Sequence, residues 1–165
     1  EGYPPVPVSV NVSRADIYHA DIADIMVRTV SKYGLTPSRL HLEITESAYT
    51  EDPGQIIETV SHLRELGFVI EMDDFGSGYS SLNMLNQMPI DILKLDMTFI
   101  RSETAKPADQ GVLQFIMELA RRMHLSVVAE GVETKEQLEL LKAYGCTTIQ
   151  GYYYSKPVEV EQFSV

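Results

Sequence analysis

The chain has 165 residues, enough for one domain with a real hydrophobic core. Its net charge of −11 argues against gripping a nucleic-acid backbone, which rewards Lys and Arg. A single cysteine, Cys146, rules out an internal disulfide and fits a reducing compartment, and no apolar run approaches the roughly 18 residues a membrane span needs.

The elements follow in chain order. After Pro4, Pro5 and Pro7, the stretch Val8–Ser13 alternates apolar and polar with the period of a strand. Arg14–Lys32 reads as one amphipathic helix ended by Tyr33-Gly34. Leu40–Glu46 is a second alternating strand. Asp52-Pro53 starts a helix that stops at Gly67. Phe68–Met72 forms a strand that delivers Asp73 and Asp74 and breaks into Gly76-Ser77-Gly78, with a short helix near Ser80–Met88. Ile92–Met97 is a fourth strand, and 101–109 reads as a loop. A helix is predicted over Gln110–Met123, a strand over Ser126–Val132, and a Thr134-capped helix to Tyr144. Thr148–Tyr152 is the sixth strand, and the tail from Pro157 is expected to begin a short helix.

Six β-α units at spacings near 30 residues mean a parallel sheet. One phase of these strands is largely polar: Ser9, Asn11, His41, Glu43, Glu71, Asp73, Lys94, Asp96, Glu130 and Gln150. The other phase is apolar. A sheet coated on both faces by helices would be apolar in both phases, so a barrel with a polar interior fits better. A complete eight-fold barrel takes at least about 200 residues. Either the barrel is unconventional or about two βα units are missing, and the start at Glu1 puts such a loss at the N-terminus.

Acidic side chains gathered at one mouth repel unless a cation offsets them. Oxygen donors from Asn, Asp and Glu suit Mg²⁺ or Mn²⁺ rather than zinc. Lys94, the single inward cation, either pairs with Asp96 or Glu71 or holds a water or phosphate oxygen. His41, inward beside Glu43, is a candidate outer partner. Gly76-Ser77-Gly78 alone is weak evidence for a phosphate cradle and does not resemble a P-loop.

Asn11-Val12-Ser13, Leu42 to Ser47, Asp73 to Leu82, Leu93 to Asp96, Ala129 to Thr134, and Gly145-Cys146 through Tyr152 resemble, in order and spacing, the motifs of EAL domains, bacterial cyclic di-GMP phosphodiesterases. The resemblance implies an α/β fold, a TIM-like (β/α)8 barrel of EAL type, with 1–165 a partial EAL domain of about six βα units. It implies metal-dependent hydrolysis of cyclic di-GMP to linear pGpG, with two Mg²⁺ or Mn²⁺ ions in the complete domain. Asn11, Glu43, Asp73 and Asp74 would hold metal. Lys94, Glu130, Asp74 and Asp96 would carry the catalytic environment. Gln150, Glu133 and Glu46 would support the site, Glu46 by bracing the Gly76–Leu82 loop. The family's name-giving Glu-Ala-Leu segment would lie upstream of Glu1, so these residues alone are expected to hydrolyse weakly or not at all. The alternative is a non-catalytic cyclic di-GMP receptor. Further expectations from the family are a cytoplasmic domain, possible membrane tethering of the parent, sensor or diguanylate cyclase neighbours, and a homodimer through the Gly-rich loop and adjacent helices. Glu71 departs from the family pattern, as a buried carboxylate that needs a partner in Lys94 or His41.

Overall fold

A computed structural model describes residues 6–49, 52–75, 82–96, 110–159 and 162. The chain divides into two compact units, Glu1–Leu93 and Lys94–Val165.

The first unit begins with strand β1 (Val8–Asn11), helices α1 (Arg14–Ile17) and α2 (Ile22–Lys32), and strand β2 (Leu40–Thr45). Helix α3 (Pro53–Glu65), strand β3 (Val69–Phe75), helix α4 (Leu82–Gln87) and the start of β4 (Ile92–Leu95) come next. β1 pairs parallel with β2 and β2 with β3, and β4 lies next to β3. The predicted alternation is present: Leu42, Ile44, Ile70 and Met72 are buried on one face of β2 and β3, while His41, Glu43, Thr45 and Asp73 on the other face are half-buried. Asp91 ties α3 to the sheet, since Arg64 Nε donates to its Oδ1 at 2.9 Å and the Ile70 N–H to its Oδ2 at 3.0 Å. Gly67, at φ 95°, closes α3 in the left-handed conformation that a glycine adopts most cheaply.

The single helix expected over Arg14–Lys32 is broken in two. Ser13 and Asp16 form a capping box that starts α1, and Tyr18 ends it after four helical residues. The His19 N–H then bonds Asp16 O at 3.0 Å, and the Asp21 N–H meets His19 Nδ1 at 3.3 Å. Ile17 and Ile22 are both buried. On one straight helix, residues five apart would stand about 140° from each other. The break lets both face the core, and apolar periodicity alone does not show it.

The second unit holds the end of β4, then helix α5 (Gln110–Arg122), strand β5 (Ser126–Ala129), helix α6 (Lys135–Ala143) and strand β6 (Thr148–Ile149). β5 lies between β4 and β6 and pairs parallel with β6. α5 buries Leu113, Ile116, Met117 and Ala120 at helical spacing. On its outer side Glu118 pairs with Arg121 and Arg122, and the Arg122 hydrogen bond holds the Glu118 carboxyl below its usual pKa. Thr134 and Gln137 form the capping box of α6, as the threonine predicts. The strands are shorter at their carboxyl ends than expected, so Asp96, Glu130 and Gln150 come after strands β4, β5 and β6 instead of lying within them. Met97, the 101–109 loop and most of the predicted tail helix lie outside the described residues.

Cys146 is buried, as a small apolar residue would be, with its Sγ 3.3 Å from Thr148 O. Burial pushes the thiol's pKa up. A raised folded-state pKa gives a contribution to stability that is complete below the ordinary thiol range and lost as pH rises through the folded value. A bulky thiol reagent at pH 8 is therefore expected to label Cys146 only as fast as the protein opens, and at once in denaturant. Rapid labelling of the native protein would contradict this burial.

Candidate functional site

In the first unit, the pairing register places the oxygen donors. Asn11, the last residue of β1, is the Cα partner of Glu43 on β2, and Thr45 is the partner of Asp73 on β3. Partners in register share a face, so Asn11, Glu43 and Asp73 stand on one side of three successive strands near their carboxyl ends. The Val12 N–H donates to Glu43 O at 2.9 Å, which holds the end of β1 against β2.

Asp74 leaves the pleat. Its φ is 57°, its side chain is exposed, and its N–H donates to Asp73 Oδ1 at 3.0 Å. A left-handed residue at a strand end turns the chain out of the strand direction. Glu46, directly after β2, is buried at the start of a 3-10 turn, Glu46–Tyr49. The Gly76–Ser81 segment that Glu46 was expected to brace lies outside the described residues.

The donor chemistry fits a hard divalent cation, being all oxygen. Among the described residues no three His, Cys, Asp or Glu side chains are already clustered as a metal cage. The set in this unit is two register-aligned acids with one amide, suited to a cation that keeps part of its water shell.

The buried carboxylate of Glu71 has the partner its burial requires. It faces His41, with Oε1 and Nδ1 2.5 Å apart. Of the two candidates from sequence, His41 and Lys94, the structure shows the histidine.

In the second unit Lys94 is only 5% exposed, and its Nζ lies 2.9 Å from Glu130 Oε1. The sequence alone pointed to Asp96 or Glu71 as its partner. Strand order explains the presence of Glu130: β5 is the neighbour of β4, and the Glu130 N–H donates to Leu95 O at 3.0 Å, which brings residue 130 level with the end of β4. Asp96, half-buried, comes directly after β4. Gln150 is exposed after β6, anchored through its backbone to Ala129 O at 2.8 Å and Val132 N at 3.1 Å. Glu133 is exposed, and its N–H donates to Gln137 Oε1 at 2.8 Å.

Gly131, Glu133, Gln150, Gly151, Tyr152, Ser155 and Lys156 line a cleft of about 560 Å³ in this unit. Lys156 Nζ sits 5.5 Å from the Tyr152 ring centroid. Sequence reasoning flagged Glu133 and Gln150 here and missed the tyrosine and lysine. The run Tyr152-Tyr153-Tyr154 beside Lys156 was the signal available for them.

Strands paired in parallel and linked through helices, apolar on one phase and carrying acids at their carboxyl ends on the other, define a (β/α) domain of the barrel class with a polar, oxygen-rich site. The sequence matches the EAL domain family over residues 1–157, and the chain belongs to that family. It is 40% identical to the cyclic di-GMP phosphodiesterase NbdA of Pseudomonas aeruginosa over 95% of this chain and 20% of that protein. It is 38% identical to the cyclic di-GMP phosphodiesterase PA2567 of the same organism, over 96% of this chain and 27% of the relative. The chain thus spans about a fifth to a quarter of the length of these curated relatives. The solved structure of the PaMucR phosphodiesterase with c-di-GMP superposes at a TM-score of 0.87, with 36% identity, over 94% of this chain and 63% of that one. A manganese and cyclic di-GMP complex of BlrP1 from Klebsiella pneumoniae superposes at 0.86, with 28% identity, over 92% of this chain and 39% of that one. The fold class is therefore that of the EAL (β/α) barrel, of which the described residues supply six strands. Among the described residues no helix is long and apolar enough to cross a membrane.

Proposed function

We propose that the domain to which this chain belongs hydrolyses one phosphodiester of cyclic di-GMP to give linear pGpG, using Mg²⁺ or Mn²⁺. The observation that carries this reading is the register that sets Asn11 beside Glu43, and Asp73 one pair further along the same face, in a chain similar to named phosphodiesterases.

Asn11, Glu43, Asp73 and Asp74 would hold a divalent cation, and by the family resemblance Asp96 would take part in catalysis. Such a cation, when bound, would lower the pKa of a bound water toward neutral and offset charge on the phosphodiester. Lys94 is held in place by Glu130, a carboxylate it reaches at 2.9 Å in a largely dry setting. A fixed ammonium there orients an attacking water, and Glu130 takes up its proton. Gln150, Glu133 and Glu46 position the surrounding backbone. Cyclic di-GMP as the ligand, a cytoplasmic setting, sensor or cyclase neighbours and a homodimer through the Gly-rich loop belong to the same proposal.

The test is incubation of the full-length protein with cyclic di-GMP and Mn²⁺, followed by chromatography. pGpG as the product, lost on chelation, supports the reading. Saturable binding of intact nucleotide without turnover overturns it in favour of a receptor.

A further inference from the structure

Glu71 stands directly across from Glu43 in the β2–β3 register. Two carboxylates in that relation on one sheet face repel each other. Glu71 is also buried, at 4% exposure, where an uncompensated charge is costly. The structure resolves both problems with one residue. His41, two positions before Glu43 on the same face of β2, brings Nδ1 to 2.5 Å from Glu71 Oε1. Glu71 is therefore turned toward the amino end of β2 while Glu43 and Asp73 lie further toward the carboxyl ends.

The geometry points to His41 as a positioning residue that holds the Glu71 carboxylate away from the metal ligands, so that Glu43 binds the cation without a third acid competing for it. This inference rests on the proposed metal-dependent reading. Its distinctive consequence is one of sign. Removal of a residue that merely supports the site would weaken metal binding. Removal of His41 releases an additional oxygen ligand and tightens it, because affinity for hard cations rises with the number of charged ligands.

The experiment is titration of the full-length protein with Mn²⁺, read from the free-ion paramagnetic resonance signal. His41→Ala is expected to bind at least about tenfold more tightly than the unaltered chain. The double variant His41→Ala/Glu71→Ala is expected to return to the original affinity. His41→Asn, which keeps a hydrogen-bond donor near the Nδ1 position, is expected to match the unaltered chain. If His41→Ala fails to fold, His41→Ser, which admits a water to Glu71, carries the same expectation. Glu71→Gln is expected to leave Mn²⁺ affinity unchanged; weaker binding there would make Glu71 a ligand already and overturn the inference. Unchanged or weaker binding in His41→Ala or His41→Ser overturns it too, as does tightening that survives loss of Glu71. Absence of Mn²⁺ binding in the unaltered full-length protein would instead sink the metal-dependent function itself.

Discussion

Replacing Glu43 with alanine is expected to abolish turnover of cyclic di-GMP and remove Mn²⁺ binding while leaving the fold intact. Residues that only orient a metal ligand typically cost about 10–100-fold when removed. A direct ligand at the centre of the donor set should exceed that, so a loss greater than about a hundredfold is expected. Stability should change little. Glu43 is half-buried and directly opposite Glu71, so its removal relieves a like-charge contact. The thermal midpoint is expected to shift by no more than about 1 kcal/mol of stability in either direction. Loss of activity together with unfolding would mean that Glu43 is structural. Retained activity in a folded variant would show that cation binding does not depend on this carboxylate.

That residue was legible in the sequence because strand parity is a strong signal. Leu42 and Ile44 must face helices, so Glu43 must face the other way, and β2 keeps to that rule along its length. Parity also placed Asn11 and Asp73 on the same side. It failed where the backbone departs from the pleat. Asp74, with φ 57°, obeys no alternation, and Asp96, Glu130 and Gln150 stand beyond their strands, where neighbouring backbone decides position. The pairing of Lys94 needed strand order in addition to parity. Charge complementarity pointed to Asp96 and Glu71, and it is the adjacency of β5 to β4 that brings Glu130 to Lys94. The break after Ile17 was illegible for a different reason: a histidine ring taking a backbone N–H at His19 leaves no trace in hydrophobic periodicity.

Gly151→Ala is the second large effect expected, and it acts through close packing of backbone. A Cβ at position 151 would lie 2.2 Å from Val132 O, 2.3 Å from Val132 N and 2.8 Å from Val132 C. All three are backbone atoms, so no side-chain rotation relieves the contact. The segments 130–133 and 150–153 would have to separate, straining the Val132 N–H to Gln150 O bond of 3.1 Å and the Tyr153 N–H to Val132 O bond of 2.9 Å. Overpacking costs about 1–3 kcal/mol and each hydrogen bond about 1 kcal/mol net, so a loss of about 3 kcal/mol is expected. For a chain of this length that is a fall of about 10 °C in Tm, measured by calorimetry. The same two segments carry Glu130, Glu133 and Gln150, so turnover should fall even below the new Tm, and addition of Mn²⁺ should not restore it. Gly111→Ala is the control. A Cβ there meets nothing within 4 Å, and the position is an exposed one in α5. Alanine is the better helix former, so this variant should be neutral or more stable by up to about 1 kcal/mol. Two substitutions of the same chemistry with opposite signs separate the effect of the Val132 contact from any general intolerance of added methyl groups. Equal stability of both variants would show that residues 132 and 151 do not approach this closely.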